Sequence, residues 1–295
     1  MQRTTSADFD QRVLDLFDRY VHGDIDRRGF LEQAARYAVG GMTASMLLDA
    51  LSPNFAAAQQ VSKDDRRIQA STVEYASPKG QGKMRGVLVR PAGKSGKLPA
   101  VLVVHENRGL NPHIEDIARR LALHGFMAFA PDALAPLGGY PGDEDRAREL
   151  FSKLEPAKVQ EDFVAAAELL QKRADCTGKI GVVGFCFGGG IANFLATRLP
   201  DLAAAVPFYG AQPPAEDVAR IKAALLIHYA EHDDRINAGA ALYEKALQAH
   251  HVRYQQFTYP GTQHGFNNDT TPRYDKAAAQ LAWQRTIDFL EKNLG

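Results

Sequence analysis

The chain has 295 residues, 45% of them hydrophobic, which suffices for one sizeable α/β domain plus an appendage. Lysine plus arginine equals aspartate plus glutamate at 35 each, so no basic excess exists to neutralise a phosphate backbone, and nucleic acid is excluded as the main partner. The two cysteines, Cys176 and Cys186, cannot build a disulfide framework or a multi-cysteine zinc site.

The first sixty residues read apart from the rest. Phe9, Val13, Leu16, Phe17, Tyr20 and Val21 recur at helical spacing. Arg27 and Arg28 then precede an apolar, small-residue stretch over 34–51. A breaker follows (Ser52-Pro53-Asn54), then Ala56-Ala57-Ala58, which offers a small-residue cleavage site. This is the layout of a twin-arginine export signal and implies a periplasmic protein. Asp49 late in the apolar run and the long leader depart from that layout. The alternative is an amphipathic helical extension docked on the body, uncleaved, in a cytoplasmic protein. On either reading the stretch is too short, and too interrupted by Arg36 and Asp49, to span a membrane stably.

From residue 64 to 295 the pattern is that of one catalytic domain. Residues 86–89 and 99–104 (PAVLVV) read as strands, the second apolar on both faces as a central strand should be. A helix over 114–123 follows, then a strand over 126–130, a turn-rich loop at 138–142 and a helix over 159–171. Next come a strand (179–185), a helix (188–198) and strands at 203–209 and 224–229. A helix (238–249), a strand (254–259) and a helix (276–292) complete the chain. Such alternation predicts an α/β fold, a mostly parallel sheet with helices on both faces and chemistry at the carboxyl ends of its strands.

Gly184-Phe185-Cys186-Phe187-Gly188-Gly189-Gly190 follows a strand directly and opens a helix rich in small residues. This is a nucleophile elbow with cysteine in the serine slot, and the helix N-terminus favours thiolate over thiol. Such an elbow needs an acid and then a base later in the chain. Beyond the strand at 224–229 lie Asp233 and Asp234, which spacing alone does not separate. Beyond the last strand lies His264, placed to exchange a proton with Cys186. His232, between acids, has no second histidine at ligand spacing, so neither metal nor cofactor is expected. His105-Glu106-Asn107-Arg108 follows the central strand, where the second oxyanion-hole amide belongs. The backbone N–H groups of Phe187 and Asn107 are therefore the expected oxyanion donors, and Glu106 is a carboxylate able to tune the thiol.

These residues resemble the dienelactone hydrolase (carboxymethylenebutenolidase) family of the α/β-hydrolase superfamily. The likeness runs from about Val73 to the C-terminus and rests on HENRGLN, the G-F-C-F-G-G elbow, H-D-D-R-I and the G-x-x-H-G-F loop. It implies an enzyme, a Cys186–His264–Asp233 triad with Asp233 rather than Asp234 as the acid, and a Glu106 that contacts the resting nucleophile. Family members acting on dienelactone carry two arginines for the substrate carboxylate; Pro136 and Asn268 stand at those positions, with Arg108 as a substitute anion contact. The expectation is a hydrolase of a small ester or lactone working through a thioester acyl-enzyme. A hydrolase of an amide or haloacid and a non-catalytic ligand-binding protein are the alternatives. No oligomeric state follows from the sequence.

Overall fold

A computed structural model describes residues 4–38 and 42–295. Residues 1–3 of the leader and 39–41 of the apolar stretch lie outside it.

Four helices open the chain: α1 (Gln11–His22), α2 (Arg27–Ala34), α3 (Ala44–Leu51) and α4 (Phe55–Ala58). Asp10 caps α1 by accepting from Arg12 N, and Gly23, at φ 87°, ends it in the left-handed conformation that glycine tolerates. Asp26 caps α2 by accepting from Gly29 N, so Arg27 and Arg28 form the first turn of a helix. The apolar stripe of α1 (Val13, Leu14, Phe17, Tyr20) closes on Phe30, Leu47, Leu48 and Leu51 in a small core of its own.

The body is an eight-stranded sheet in the order β1-β2-β4-β3-β5-β6-β7-β8. Strands β1 (Ile68–Ser77) and β2 (Gly82–Pro91) form an antiparallel hairpin joined antiparallel to β4 (Met127–Pro131). The others, β3 (Leu98–Val104), β5 (Cys176–Phe185), β6 (Ala204–Phe208), β7 (Ala224–His232) and β8 (Tyr254–Gln263), run parallel with β4. Helices α5 (Pro112–Leu123), α6 (Glu144–Phe151), α7 (Pro156–Lys172), α8 (Phe187–Arg198), α9 (Asp234–Asn237), α10 (Ala240–Ala249) and α11 (Lys276–Leu294) complete the chain. Two apolar cores, one on each face, cover the sheet; Leu102 and Val104 point into one, Val101 and Val103 into the other.

The expected α/β architecture is the one observed. Two elements go beyond those expected from sequence: β1, an edge strand whose residues are mostly solvent-facing and so carry no apolar run, and α6. Cys176 opens β5 and Cys186 follows its end; both thiols are free. No helix among the described residues is long and apolar enough to cross a membrane.

Candidate active site

Strand β5 delivers Cys186 into a sharp turn with φ 54° and ψ −114°, a backbone position that side chains rarely occupy. The turn exists because its neighbours are glycines. A Cβ on Gly184 would sit 1.9 Å from Gly188 O, and one on Gly188 would sit 2.2 Å from Val104 O. The amide of Cys186 donates to Phe208 O at 3.0 Å, which locks the elbow to β6. Phe187 then begins α8, so its N–H has no acceptor within the helix.

His264 follows β8 directly and Asp233 follows β7, so the sheet brings both to the carboxyl edge where Cys186 sits. His264 Nδ1 lies 2.6 Å from Asp233 Oδ2, with both side chains buried. Asp233 is buried and Asp234 is exposed, which separates the two. With Nδ1 held by Asp233, His264 Nε2 has no hydrogen-bond partner among the described residues, and a ring nitrogen of His264 lies within 4.8 Å of Cys186 Sγ. Burial pushes the Cys186 thiol up, but the neighbouring imidazoliums of His264 and His22 outweigh it and bring the pKa down to about 6. Burial likewise opposes charge on His264, yet the thiolate and Asp233 raise its pKa to about 10. A thiolate beside a protonated imidazole can attack an electrophilic carbon.

The loop after β3 is fixed by His105, whose Nε2 accepts from Ala133 N at 3.1 Å and whose Nδ1 meets Glu106 O. Asn107 lines the same cavity as Cys186, and its backbone N–H makes no hydrogen bond among the described residues. Glu106 Oε2 accepts from Asn268 Nδ2 at 2.9 Å, while the hydrogen-bonding contact on Sγ comes from another residue. Arg108 differs from expectation. Its guanidinium donates to Asn107 Oδ1 and to Val21 O, lies 3.5 Å from Glu144, and faces a neighbouring cavity instead of the one at the thiol. The guanidinium that lines the Cys186 cavity among the described residues is that of Arg235.

The contact at the sulfur is made by His22, the last residue of α1, whose Nε2 stands 3.4 Å from Sγ. The apolar stripe that marks α1 in the sequence does not include this histidine. Asp18 and His22, four residues apart on one helix face, are the available signal, but helical spacing cannot say which distant group such a pair will meet. His22, Cys186 and His264 together offer a donor set of the kind that zinc accepts. Arg235 Nη2, 2.8 Å from His22 Nε2, opposes a further cation there.

The cavity at the thiol measures about 510 Å³. Phe151, Phe187, Ile191, Phe194, Pro213 and Pro214 make most of its apolar wall; Gln160, Thr197 and Gln212 are neutral polar points, and His22, Asp217 and Arg235 bring charge of both signs.

Residues 84–294 match the family model described as the dienelactone hydrolase family, and residues 1–38 match a second described as YqhI-like. The chain belongs to the dienelactone hydrolase family. It is 32% identical over 218 residues to an Escherichia coli K12 protein named "Putative carboxymethylenebutenolidase", covering 69% of this chain and 80% of that one. It is 56% identical over 115 residues to the E. coli K12 "Putative hydrolase fragment YghX", covering 39% of this chain and 98% of the fragment. Among solved structures, a dienelactone hydrolase homologue from Klebsiella pneumoniae, itself described as putative, superposes with a TM-score of 0.66 at 29% identity, over 76% of this chain and 99% of that one. The protein is thus a hydrolase of this family. In place of the arginines that the resemblance expects at two positions it has Pro136, in the turn after β4, and Asn268, which is spent on Glu106.

Proposed function

We propose that the protein hydrolyses a small, uncharged ester or lactone through a Cys186–His264–Asp233 triad. The observation that carries this is the pairing of a left-handed elbow cysteine with a buried histidine held 2.6 Å from a buried aspartate. Cys186 thiolate attacks the carbonyl carbon, and the C=O electron pair moves to oxygen, where the amides of Phe187 and Asn107 receive it. Collapse breaks the bond to the leaving oxygen, which takes a proton from His264 Nε2. Neutral His264 then takes a proton from water, hydroxide attacks the thioester, and the thiolate leaves. Asp233 keeps the proton-bearing Nδ1 in place throughout. None of these steps calls for a metal or cofactor.

The cavity supports this substrate class. Its wall is mainly aromatic and aliphatic, Arg235 is accompanied by the carboxylate of Asp217 in the lining, and neither Pro136 nor Asn268 can bind a carboxylate as arginine does. A neutral acyl group with an apolar body fits better than an anionic dienelactone. The experiment is intact-protein mass spectrometry on mixing with a short-chain aryl ester, comparing wild type and Cys186→Ala. An acyl adduct on wild type only, with product release lost in the variant, is the expected result. Turnover retained in Cys186→Ala would refute the thioester route.

For location there are two readings. The twin-arginine segment supports export to the periplasm. The uncleaved extension is supported by the docked helices, in which Asn54 N donates to Thr270 O and Ala58 is buried. Cell fractionation with the intact mass of the recovered protein separates them: a periplasmic protein lacking its first sixty residues means a cleaved signal, and a full-length chain means a retained extension.

A further inference from the structure

His22 reaches the nucleophile from outside the hydrolase fold. We propose that the N-terminal helix completes the active site, the Asp18–His22 pair of α1 acting as a second acid–histidine pair on the Cys186 sulfur. This rests on the reading of Cys186 as the nucleophile and on the N-terminal extension being retained.

The geometry has three parts. First, His22 Nδ1 is committed to Asp18: it lies 2.8 Å from the Asp18 carbonyl oxygen and 3.2 Å from Oδ2, which leaves Nε2 to face the thiol. Arg273 Nη1 donates to Asp18 Oδ1 at 3.1 Å and holds that carboxylate in turn. Secondly, the last turn of α1 is fastened to the loop that carries the Asn107 amide. Asn107 Nδ2 and Arg108 Nη2 donate to Val21 O at 2.9 and 3.1 Å, and Arg148 Nη1 donates to Tyr20 O. Thirdly, the charged and titratable groups in contact with the ring act with opposite signs. Asp18 and the thiolate favour the imidazolium, while burial, the edge-on His264 ring 4.8 Å away and Arg235 oppose it. The balance lies on the charged side, with the His22 pKa raised to about 9 in spite of burial.

Nε2 has two contacts that belong to two protonation states. Protonated, it donates to the Cys186 thiolate; neutral, it accepts from Arg235 Nη2. With the sulfur charged, His22 therefore keeps its proton below about pH 9 and stabilises the thiolate before attack. Above that pH the ring turns its lone pair to Arg235 and the support is lost. Arg108, expected to contact the substrate, instead holds the helix that delivers His22.

The test uses the full-length chain. Cys186 alkylation by iodoacetamide is followed from about pH 5 to about pH 10 in wild type, His22→Gln and Asp18→Asn, with Cys186→Ala as the baseline for Cys176. Aryl-ester hydrolysis is measured over the same range. In His22→Gln the alkylation midpoint should rise by about one unit or more above the wild-type value, and the acidic limb of kcat/KM should move with it. The loss in hydrolysis should therefore shrink as pH rises. Asp18→Asn, which keeps the ring and guards against a misfolded His22→Gln, should move both in the same direction by less. An unmoved midpoint in both variants overturns the proposal. So does faster hydrolysis by His22→Gln at every pH, which would make α1 a lid. The alkylation arm reads His22 on the thiol whether or not the ester is turned over, so failure of the acyl adduct in wild type counts against the nucleophile reading and leaves this result standing.

Discussion

Two aspartate–histidine pairs meet at one sulfur, and they are built differently. Asp233 and His264 sit at the ends of parallel strands, with side chains 2% and 4% exposed, and are positioned by the sheet itself. Asp18 and His22 sit on a single helix with its own small core, are 28% and 12% exposed, and reach the thiol because polar contacts dock that helix on the body. Residues at strand ends inherit the rigidity of the sheet. Residues on a docked helix depend on the docking, which a sequence change far from the thiol can alter.

Removing the charge from each acid in turn separates the two pairs most strongly. Asp233→Asn should lower kcat by about 10³- to 10⁴-fold, because the amide offers His264 Nδ1 no fixed carboxylate and the ring loses its tautomer and its support as a cation. Circular dichroism should stay native, since an amide oxygen still caps α9. Asp18→Asn should cost far less, because its partner supports the thiolate without carrying the transferred proton. Equal losses from the two substitutions would mean that the helix-borne pair shares the proton transfers.

The junction between the two regions is the next point of attack. Asp116, on α5 and 1% exposed, accepts from Gln60 N at 3.1 Å, Val61 N at 2.9 Å and Arg120 Nε at 2.7 Å. It thereby ties the chain leaving α4 to the body. Asp116→Ala leaves two amides and the Arg119 and Arg120 guanidinium groups without that carboxylate, a change worth about 3 kcal/mol by the usual cost of breaking a buried pair. Urea unfolding should show the loss as a lower midpoint at constant slope. A loss below about 1 kcal/mol would show that the junction is held chiefly by other contacts.

What the sequence discloses follows the same division. The elbow, Asp233 and His264 are legible because each is tied to a strand end, and strands of the PAVLVV kind announce themselves by composition. Choosing Asp233 over Asp234 takes the family resemblance, and burial then agrees with it. His22 is not legible, because its significance lies in a contact spanning 164 positions in the chain, and a helix's periodicity records only which face is apolar. Arg108 misleads for a related reason. Its type and place suit an anion site, but Val21 and Glu144, which occupy it, come from elements that the sequence does not bring near. Strand β1 hides in its exposure.

The smallest effect expected bears on the twin arginines. Arg27 Nη1 pairs with Asp145 Oδ2 at 2.9 Å at the surface, and Arg28 pairs with Glu32 in the open solvent. Pairs of this kind contribute about 0–1 kcal/mol, and lysine keeps the charge while losing the guanidinium fork. The double substitution Arg27→Lys, Arg28→Lys should leave hydrolysis within about twofold of wild type, because α1 is fastened at Tyr20 and Val21 by Arg148, Asn107 and Arg108 independently of α2. The same variant should fail to reach the periplasm if the pair is an export signal, so a single protein would keep its activity and lose its location. A tenfold loss of activity instead would place α2 among the elements that set His22, and the boundary between scaffold and site would then run through the whole N-terminal unit and not only the last turn of α1.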